Sequence, residues 1–210
     1  MIEYLVSGFM FAFAAAVQPG PLTTYLISQT LSKGWKATLP ATLAPIVSDG
    51  PIILLVLFLL SHISQFMISI LQISGGLFLL YLSFNAYKSW KSYSFERSMS
   101  HLSPAQTLLK AATVNFLNPN PYLGWSLVMG PLLIKGWHES PSYGIALLVS
   151  FYATIIVMLG VIIVVFAAAR DLGPKLNKVL IGISAVALLV FGLFELYSGT
   201  RVYFQVTLPQ

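Results

Sequence analysis

The sequence predicts an all-α, polytopic membrane protein with six transmembrane helices in two inverted three-helix repeats. Of its 210 residues, 57% are hydrophobic and 8% are charged, and the mean hydropathy is +0.84. Soluble domains carry about 25% charged residues, so this composition excludes a water-soluble globular protein. Disorder requires low hydrophobicity, so a disordered chain is excluded as well. Six apolar stretches and two matching proline motifs predict how many helices form and how they are arranged.

The six apolar stretches are each long enough to cross a bilayer, which takes about 20 helical residues. They cover residues 4–31, 38–60, 66–87, 107–134, 143–169 and 176–198. Helices satisfy their own backbone hydrogen bonds, as lipid surroundings require. The remaining residues suffice only for short connections, so we expect any chemistry to take place among the membrane helices.

Basic residues predict the orientation of the helices. Those in the first, third and fifth connections are Lys33, Lys36, Lys88, Lys91, Arg97, Lys110, Arg170, Lys175 and Lys178. On the opposite side there are Lys135 and Arg201. Because cytoplasmic loops carry the excess of Lys and Arg, both termini are expected outside the cytoplasm. The net charge of +5 therefore reflects orientation, and no nucleic-acid partner is expected.

The sequence lacks the usual signatures of catalysis and cofactor binding. With no cysteine, the chain forms no disulfide, iron–sulfur cluster or Cys-type zinc site. His62, His101 and His138 fall in or beside loops and show no His-Glu-x-x-His spacing. No glycine-rich phosphate-binding loop occurs. We therefore expect neither enzyme activity nor a metal or other cofactor.

The chain divides into two related halves at its longest connection, which is rich in serine. We expect a first repeat at residues 1–88, a cytoplasmic linker at 89–106, a second repeat at 107–200 and a C-terminal tail at 201–210. The matching motifs, one hundred positions apart, are Gln18, Pro19, Gly20 and Pro21, and Asn118, Pro119, Asn120 and Pro121. Because each half has three spans, the second half is inverted, as in many secondary transporters.

The prolines of both motifs predict broken helices. Proline lacks an N–H group and clashes with the carbonyl four residues earlier. Half-helices starting at Pro21 and Pro121 would present polarised N–H groups that hold a carboxylate. The freed carbonyls on the other side of each break would receive an ammonium group, so the pattern favours a zwitterionic ligand at a shared site. The alternative is a simple proline kink needed for packing.

Two acidic residues lie within the predicted spans. Asp49 is in the middle of the second span, with no Lys or Arg near it in sequence. A charged side chain at the bilayer centre costs on the order of 2.5–3.5 kcal/mol, which makes function the first hypothesis for such a residue. We expect Asp49 to contact a substrate ammonium group or carry a proton, and the alternative is a protonated structural hydrogen-bonder. Glu195 is a second coupling candidate, with an interfacial position as its alternative.

The substrate-binding candidates are the motif residues and the polar groups near them. They are Gln18, Pro19, Gly20, Pro21, Asp49, Asn115, Asn118, Pro119, Asn120 and Pro121. Aromatic residues such as Trp125 are expected to anchor at the membrane interface or to pack in the core.

Four segments of the chain resemble the LysE (RhtB-type) amino-acid translocators. They are Pro19-Gly20-Pro21, Gly34-Trp35-Lys36-Ala37, Gly75-Gly76 through Tyr81-Leu82, and Asn115-Phe116-Leu117-Asn118-Pro119. The resemblance implies an inner-membrane exporter of amino acids driven by the proton gradient or the membrane potential. The chain differs from many members in carrying Asn120 where they have lysine, and Pro40, Ala44, Pro45 and Ser48 where they have a run of glycines.

Together these features predict a secondary transporter that exports amino acids or related small zwitterions, coupled to the proton gradient. The alternative is an inorganic cation transporter or channel of the same wider superfamily, with Asn85 and Gln18 as further oxygen ligands near Asp49. A third hypothesis is a membrane scaffold without transport. The expected partners are a small-molecule substrate and the lipid bilayer, with a homodimer suggested by faces of small residues.

Overall fold

A computed structural model describes residues 1–18, 20–58, 65–91, 103–170 and 173–207. Within these ranges the chain is helical and contains no β-strand. The α-helices are α1 (Ile2–Val17), α2 (Pro21–Lys33), α3 (Trp35–Thr38), α4 (Ala44–Phe58), α5 (Gln65–Lys91), α6 (Pro104–Phe116), α7 (Pro119–Gly124), α8 (Gly130–Glu139), α9 (Pro141–Arg170) and α10 (Pro174–Thr207). A 3-10 turn at Leu39–Leu43 joins α3 to α4, and a π-helical turn at Trp125–Met129 joins α7 to α8.

The first apolar stretch is broken where the proline motif predicts it. Helix α1 ends at Val17, and α2 begins at Pro21 with its axis bent by 61°. Gly20 precedes α2 in an extended conformation, with φ −160° and ψ 179°. Proline suits the first helical position because its missing N–H would have no partner there in any case.

The fourth stretch is also broken, but its second half begins two residues earlier than expected. Helix α6 ends at Phe116, and α7 starts at Pro119 rather than at Pro121. The reason is Asn118, whose extended backbone and side chain make it the N-cap: its Oδ1 accepts a hydrogen bond from the N–H of Asn120 at 3.1 Å.

Three helical runs of the described residues are long and apolar enough to cross a membrane. They are Trp35–Val56, Pro141–Ala169 and Lys178–Phe204. The bent pair of α1 and α2 makes a fourth if it is counted as one span. The predicted fourth span is interrupted at its prolines, and the third carries several polar residues, which lowers its mean hydropathy. These features are those of a multi-pass membrane protein.

Glycines let the long helices approach one another closely. Helix α5 runs along α10, where a Cβ added at Gly76 would lie only 2.8 Å from the carbonyl oxygen of Gly192. Helix α1 lies against α9, where a Cβ at Gly8 would lie 2.6 Å from the carbonyl oxygen of Leu147. Such small-residue contacts are the usual means of helix packing in membranes.

The remaining contacts bring both breaks to one region of the bundle. Helix α6 packs against α4 and the 3-10 turn, which brings Asn115 to Asp49. Helix α2 packs against both α9 and α10. The two proline motifs, one hundred residues apart in sequence, therefore line a common space.

Candidate functional site

A cavity of about 220 Å³ lies between the two broken helices and their neighbours α4 and α9. An engineered protein cavity of about 150 Å³ binds benzene, so this space is sufficient for a small metabolite. Its lining consists of Phe11, Ala14, Ala15, Gln18, Gly20, Pro21, Leu22, Thr23, Pro45, Asp49, Asn115, Asn118, Asn120, Pro121, Trp125, Phe151, Ile155 and Leu159.

Most of the predicted binding residues line this cavity. They are Gln18, Gly20, Pro21, Asp49, Asn115, Asn118, Asn120 and Pro121. Pro119 does not, because it is buried in the first turn of α7. Pro19 lies outside the described residues. The structure therefore brings together residues that the sequence singled out from three distant segments.

Asp49 is held by hydrogen bonds from three neighbouring side chains. It is only 3% exposed. Asn115 Nδ2 donates to Oδ1 of Asp49 at 3.0 Å and to the hydroxyl of Ser48 at 2.7 Å. The indole N–H of Trp125 donates to Oδ2 of Asp49 at 3.4 Å, and Ser48 Oγ lies 3.5 Å from Oδ1. These contacts fix the carboxyl group at the wall of the cavity.

No cation balances Asp49 in the part of the chain that the structure describes. The one ion pair found there joins Lys135 and Glu139, at 3.8 Å, on α8. A carboxylate has about four lone-pair positions, so Asp49 retains acceptor capacity beyond its protein donors. A ligand with a cationic group would both fill that capacity and supply the missing charge.

Helix α2 turns unpaired backbone donors towards the same cavity. Its first intrahelical bond runs from the N–H of Thr24 to the carbonyl of Gly20 at 2.9 Å, and no side chain caps it. The preceding N–H groups, those of Leu22 and Thr23, have no recorded partner among the described residues, and both residues line the cavity. Such first-turn donors carry the positive end of the helix dipole and suit an anion.

The start of α7 does not provide a second anion site, contrary to the expectation from its proline motif. Pro119 and Pro121 have no N–H, and the N–H of Asn120 already donates to the side chain of Asn118. The two breaks therefore differ chemically, although their sequences look alike. An anionic group has donors at α2, while Asp49 faces the cavity as an acceptor.

Apolar side chains form the rest of the lining, and sequence reasoning missed them. Phe151, Ile155 and Leu159 come from α9, and Phe11 comes from α1. Phe151 packs edge-to-face on Trp125, with ring centroids 5.5 Å apart. Nothing in the uniformly apolar sequence of α9 separates cavity-lining from lipid-facing positions. Trp125 packs in the core, which is one of the two positions expected for it, but the sequence did not predict its hydrogen bond to Asp49.

Glu195 and Asn85 lie outside this cavity. Glu195 is buried on α10 and lines a separate void of about 10 Å³. The side-chain amide of Asn85 donates to the carbonyl of Tyr81 on its own helix, at 3.0 Å. Among the described residues, no three His, Asp or Glu side chains are grouped as a metal site.

The model of the LysE type translocator family matches residues 13–199. The chain belongs to this family. No curated protein and no solved structure matches the chain.

Membership of the LysE type family makes the protein a transporter with several membrane helices. The match extends from α1 to α10 and includes both proline motifs and Asp49. The described residues that line the cavity, except Phe11, thus lie within the matched part of the chain.

Cysteine labelling tests whether the cavity is reached from water. Because the native chain has no cysteine, a single one can be introduced without removing others. Asn120→Cys is expected to react with a charged thiol reagent at least about tenfold faster than Leu54→Cys, since only a thiolate reacts and lipid disfavours it. Leu54 is 60% exposed on the outer face of α4 and serves as the control. Equal labelling rates would contradict an aqueous cavity.

Proposed function

We propose that the protein is a secondary transporter that exports zwitterionic amino acids by alternating access at its two broken helices. The single observation that carries this proposal is the cavity in which a buried acid, Asp49, and the uncapped start of α2 occur together. One accepts from a cation and the other donates to an anion. A free amino acid carries both groups on one carbon atom.

The α-ammonium group is assigned to Asp49. No Lys or Arg lines the cavity, and in the described residues Asp49 has only neutral hydrogen-bond donors. The α-carboxylate is assigned to the N–H groups of Leu22 and Thr23. Charge-assisted hydrogen bonds of both kinds are about twice as strong as neutral ones, so they can replace the hydration that the ligand loses.

The substrate side chain is proposed to be apolar and uncharged. Phe11, Phe151, Ile155 and Leu159 contribute large apolar side chains to the cavity lining. A lysine or arginine substrate would bring a second cation, but Asp49 is the only acidic residue among the described residues of the lining. Burying an unpaired charge is strongly unfavourable, so a leucine-like substrate fits better than a basic one.

Helix packing supports the proposed six spans and inverted repeats. The first half of the first span, α1, packs on α9, which is the second helix of the other repeat. Correspondingly, α6 packs on α4. Helices α5 and α10, the last of each repeat, pack on each other. This reciprocal pattern is what two copies of one unit in opposite orientations would produce.

The domain boundaries and orientation remain part of the proposal. We place the repeats at residues 1–88 and 107–200, the linker at 89–106 and the tail at 201–210. The excess of basic residues in the odd-numbered connections puts both termini outside the cytoplasm of an inner membrane. We further propose that transport is coupled to the proton gradient and that the protein forms a homodimer in the lipid bilayer.

The inorganic cation transporter or channel is the less favoured alternative. Its expected oxygen ligand Asn85 does not line the cavity, and Asp49 is the one carboxyl group that the described part of the chain places there. An apolar wall from α9 has no use in binding a small hydrated ion, whereas it suits an amino-acid side chain.

Neutralising the buried acid is expected to abolish transport. We expect Asp49→Asn to reduce uptake of labelled amino acids into proteoliposomes by about tenfold or more, because it removes the charge partner of the ammonium group. Uptake of a panel of amino acids under an imposed pH gradient measures the effect. Glu139→Gln, the same change at a half-exposed site on α8, is the control and should transport normally. Wild-type rates in the Asp49 variant would contradict the proposal.

The apolar wall is expected to set side-chain preference. Competition assays should show leucine displacing the labelled substrate at lower concentration than lysine does. Ile155→Ala should weaken the binding of leucine by about tenfold, since an unfilled hydrophobic pocket loses about 1–3 kcal/mol of discrimination between substrates. Val157→Ala is the matched control, because Val157 lies on the same helix but is 62% exposed on its outer face. A preference for lysine would contradict the assigned substrate class.

A further inference from the structure

Glu195 is a buried carboxyl group that the substrate site does not use. It lies on α10, is only 7% exposed, and receives a hydrogen bond from the side chain of Gln72 on α5. Its second oxygen, Oε2, is completely buried, and no hydrogen-bond partner for it is found among the described residues. An ionisable group inside the membrane with an unpaired oxygen requires a partner.

The void beside Glu195 is lined by residues at the end of α6. The carbonyl of Leu117 has no helical donor, because the residue four positions later is Pro121. The carbonyl of Val114 has lost its usual donor as well, since the N–H of Asn118 bonds to Asn115 at 3.2 Å instead. No donor to either oxygen is found within the described residues. Val114 and Leu117 both line the void with Glu195.

Gly75 brings α5 close to these carbonyls. A Cβ added there would lie 2.5 Å from the carbonyl oxygen of Leu117, so this oxygen points to the side of α6 that faces α5. Gly75 also lines the void. The small glycine therefore leaves the oxygen uncovered at the edge of a space of about 10 Å³. That volume is about what one water molecule needs.

Most polar groups of the void are acceptors. They are the carboxyl oxygen of Glu195 and the carbonyls of Val114 and Leu117, and the side-chain amide of Asn118 is the one donor-bearing side-chain group among the described lining residues. Gln72 is the one polar side chain recorded on Glu195, and no titratable or basic group faces it from α2, α5 or α6 in the described chain. Enclosed acceptors that outnumber their donors and have no counter-charge are unfavourable, and a small cation or a proton lessens that penalty.

We propose that this void binds the monovalent cation that drives transport, either Na⁺ or a proton carried by Glu195. The inference rests on the transport function proposed above. It separates two roles: Asp49 holds the substrate, and Glu195 holds the coupling ion with the carbonyls exposed by the second break. Unwound carbonyl groups at helix breaks are suitable ligands for such ions.

The position of the ion site explains how it would be coupled to the substrate. Pro21 and Asn118 line both the void and the larger cavity, so they form a common wall. Asn118 also caps α7 through the N–H of Asn120. A shift of the break that opens one space must alter the other, which links ion and substrate occupancy.

The test compares ion-driven transport with ion-independent exchange in the same proteoliposomes. Leucine counterflow reports substrate binding and movement. Coupling is measured as leucine accumulation, first under a Na⁺ gradient at constant pH and then under a pH gradient in choline buffer without Na⁺. Glu195→Gln is expected to lower ion-driven accumulation by about tenfold or more and to leave counterflow within about twofold. Glu139→Gln is the control, and Glu195→Asp should retain ion dependence with weaker apparent ion affinity.

The outcomes separate the ion site from the transport function. Loss of Na⁺-driven accumulation in Glu195→Gln assigns Na⁺, and loss of pH-driven accumulation assigns a proton. Wild-type ion dependence in this variant overturns the proposal and makes Glu195 a permanently protonated structural group. If the wild-type protein shows leucine counterflow but neither gradient drives accumulation, the ion site is overturned and the transport function is not. Absence of wild-type counterflow overturns the proposed function itself. If Glu195→Gln does not fold, an unchanged ion affinity in Glu195→Asp overturns the ion site.

Discussion

The whole structure depends on the loss of backbone hydrogen bonds at two proline motifs inside a membrane bundle. In lipid, each unpaired N–H or C=O group costs several kcal/mol, so a break in a helix is tolerated only where protein or a ligand surrounds it. The break before Pro21 leaves N–H groups unpaired, and the break before Pro119 leaves carbonyls unpaired. The other helices enclose both breaks, and residues that carry these backbone groups line the two cavities.

The two breaks have similar sequences but different chemistry. At α2 the residue before the first proline is Gly20, which has no side chain to cap the helix, so the first-turn donors stay free. At α7 the N-cap is Asn118, which aligns with Gln18 rather than with Gly20; its side chain caps the helix, and two prolines remove further donors. Within the described residues, the two similar motifs thus provide backbone donors at α2 and backbone acceptors before α7. In the larger cavity, the donors at α2 and the carboxyl group of Asp49 would give a polar ligand a fixed orientation.

The sequence predicted the helical membrane fold, the two breaks and the meeting of their residues around Asp49. Those predictions rest on strong local rules: proline cannot continue a hydrogen-bonded helix, and an isolated acid in an apolar span is expensive. The helix start at Pro119 was mispredicted because it depends on a side-chain cap. The role of Phe151 depends on which face of the predominantly apolar helix α9 turns inward, and the composition of α9 does not encode that face. The role of Trp125, in the π-helical turn, depends on its contact with Asp49, which no local pattern specifies. The void beside Glu195 results from the packing of α5 on α6, which no local pattern specifies.

The central claim is that one amino acid spans Asp49 and the start of α2, and binding of substrate analogues tests it most directly. Leucine, its amide and its α-hydroxy acid would be titrated against wild-type protein and Asp49→Asn in detergent. Wild type should bind both analogues at least about tenfold more weakly than leucine. In Asp49→Asn the hydroxy acid should bind about as tightly as leucine, because the ammonium group of leucine no longer has a partner there. The amide should still bind more weakly than leucine. If the hydroxy acid is discriminated equally in both proteins, Asp49 does not bind the ammonium group and the assignment is wrong.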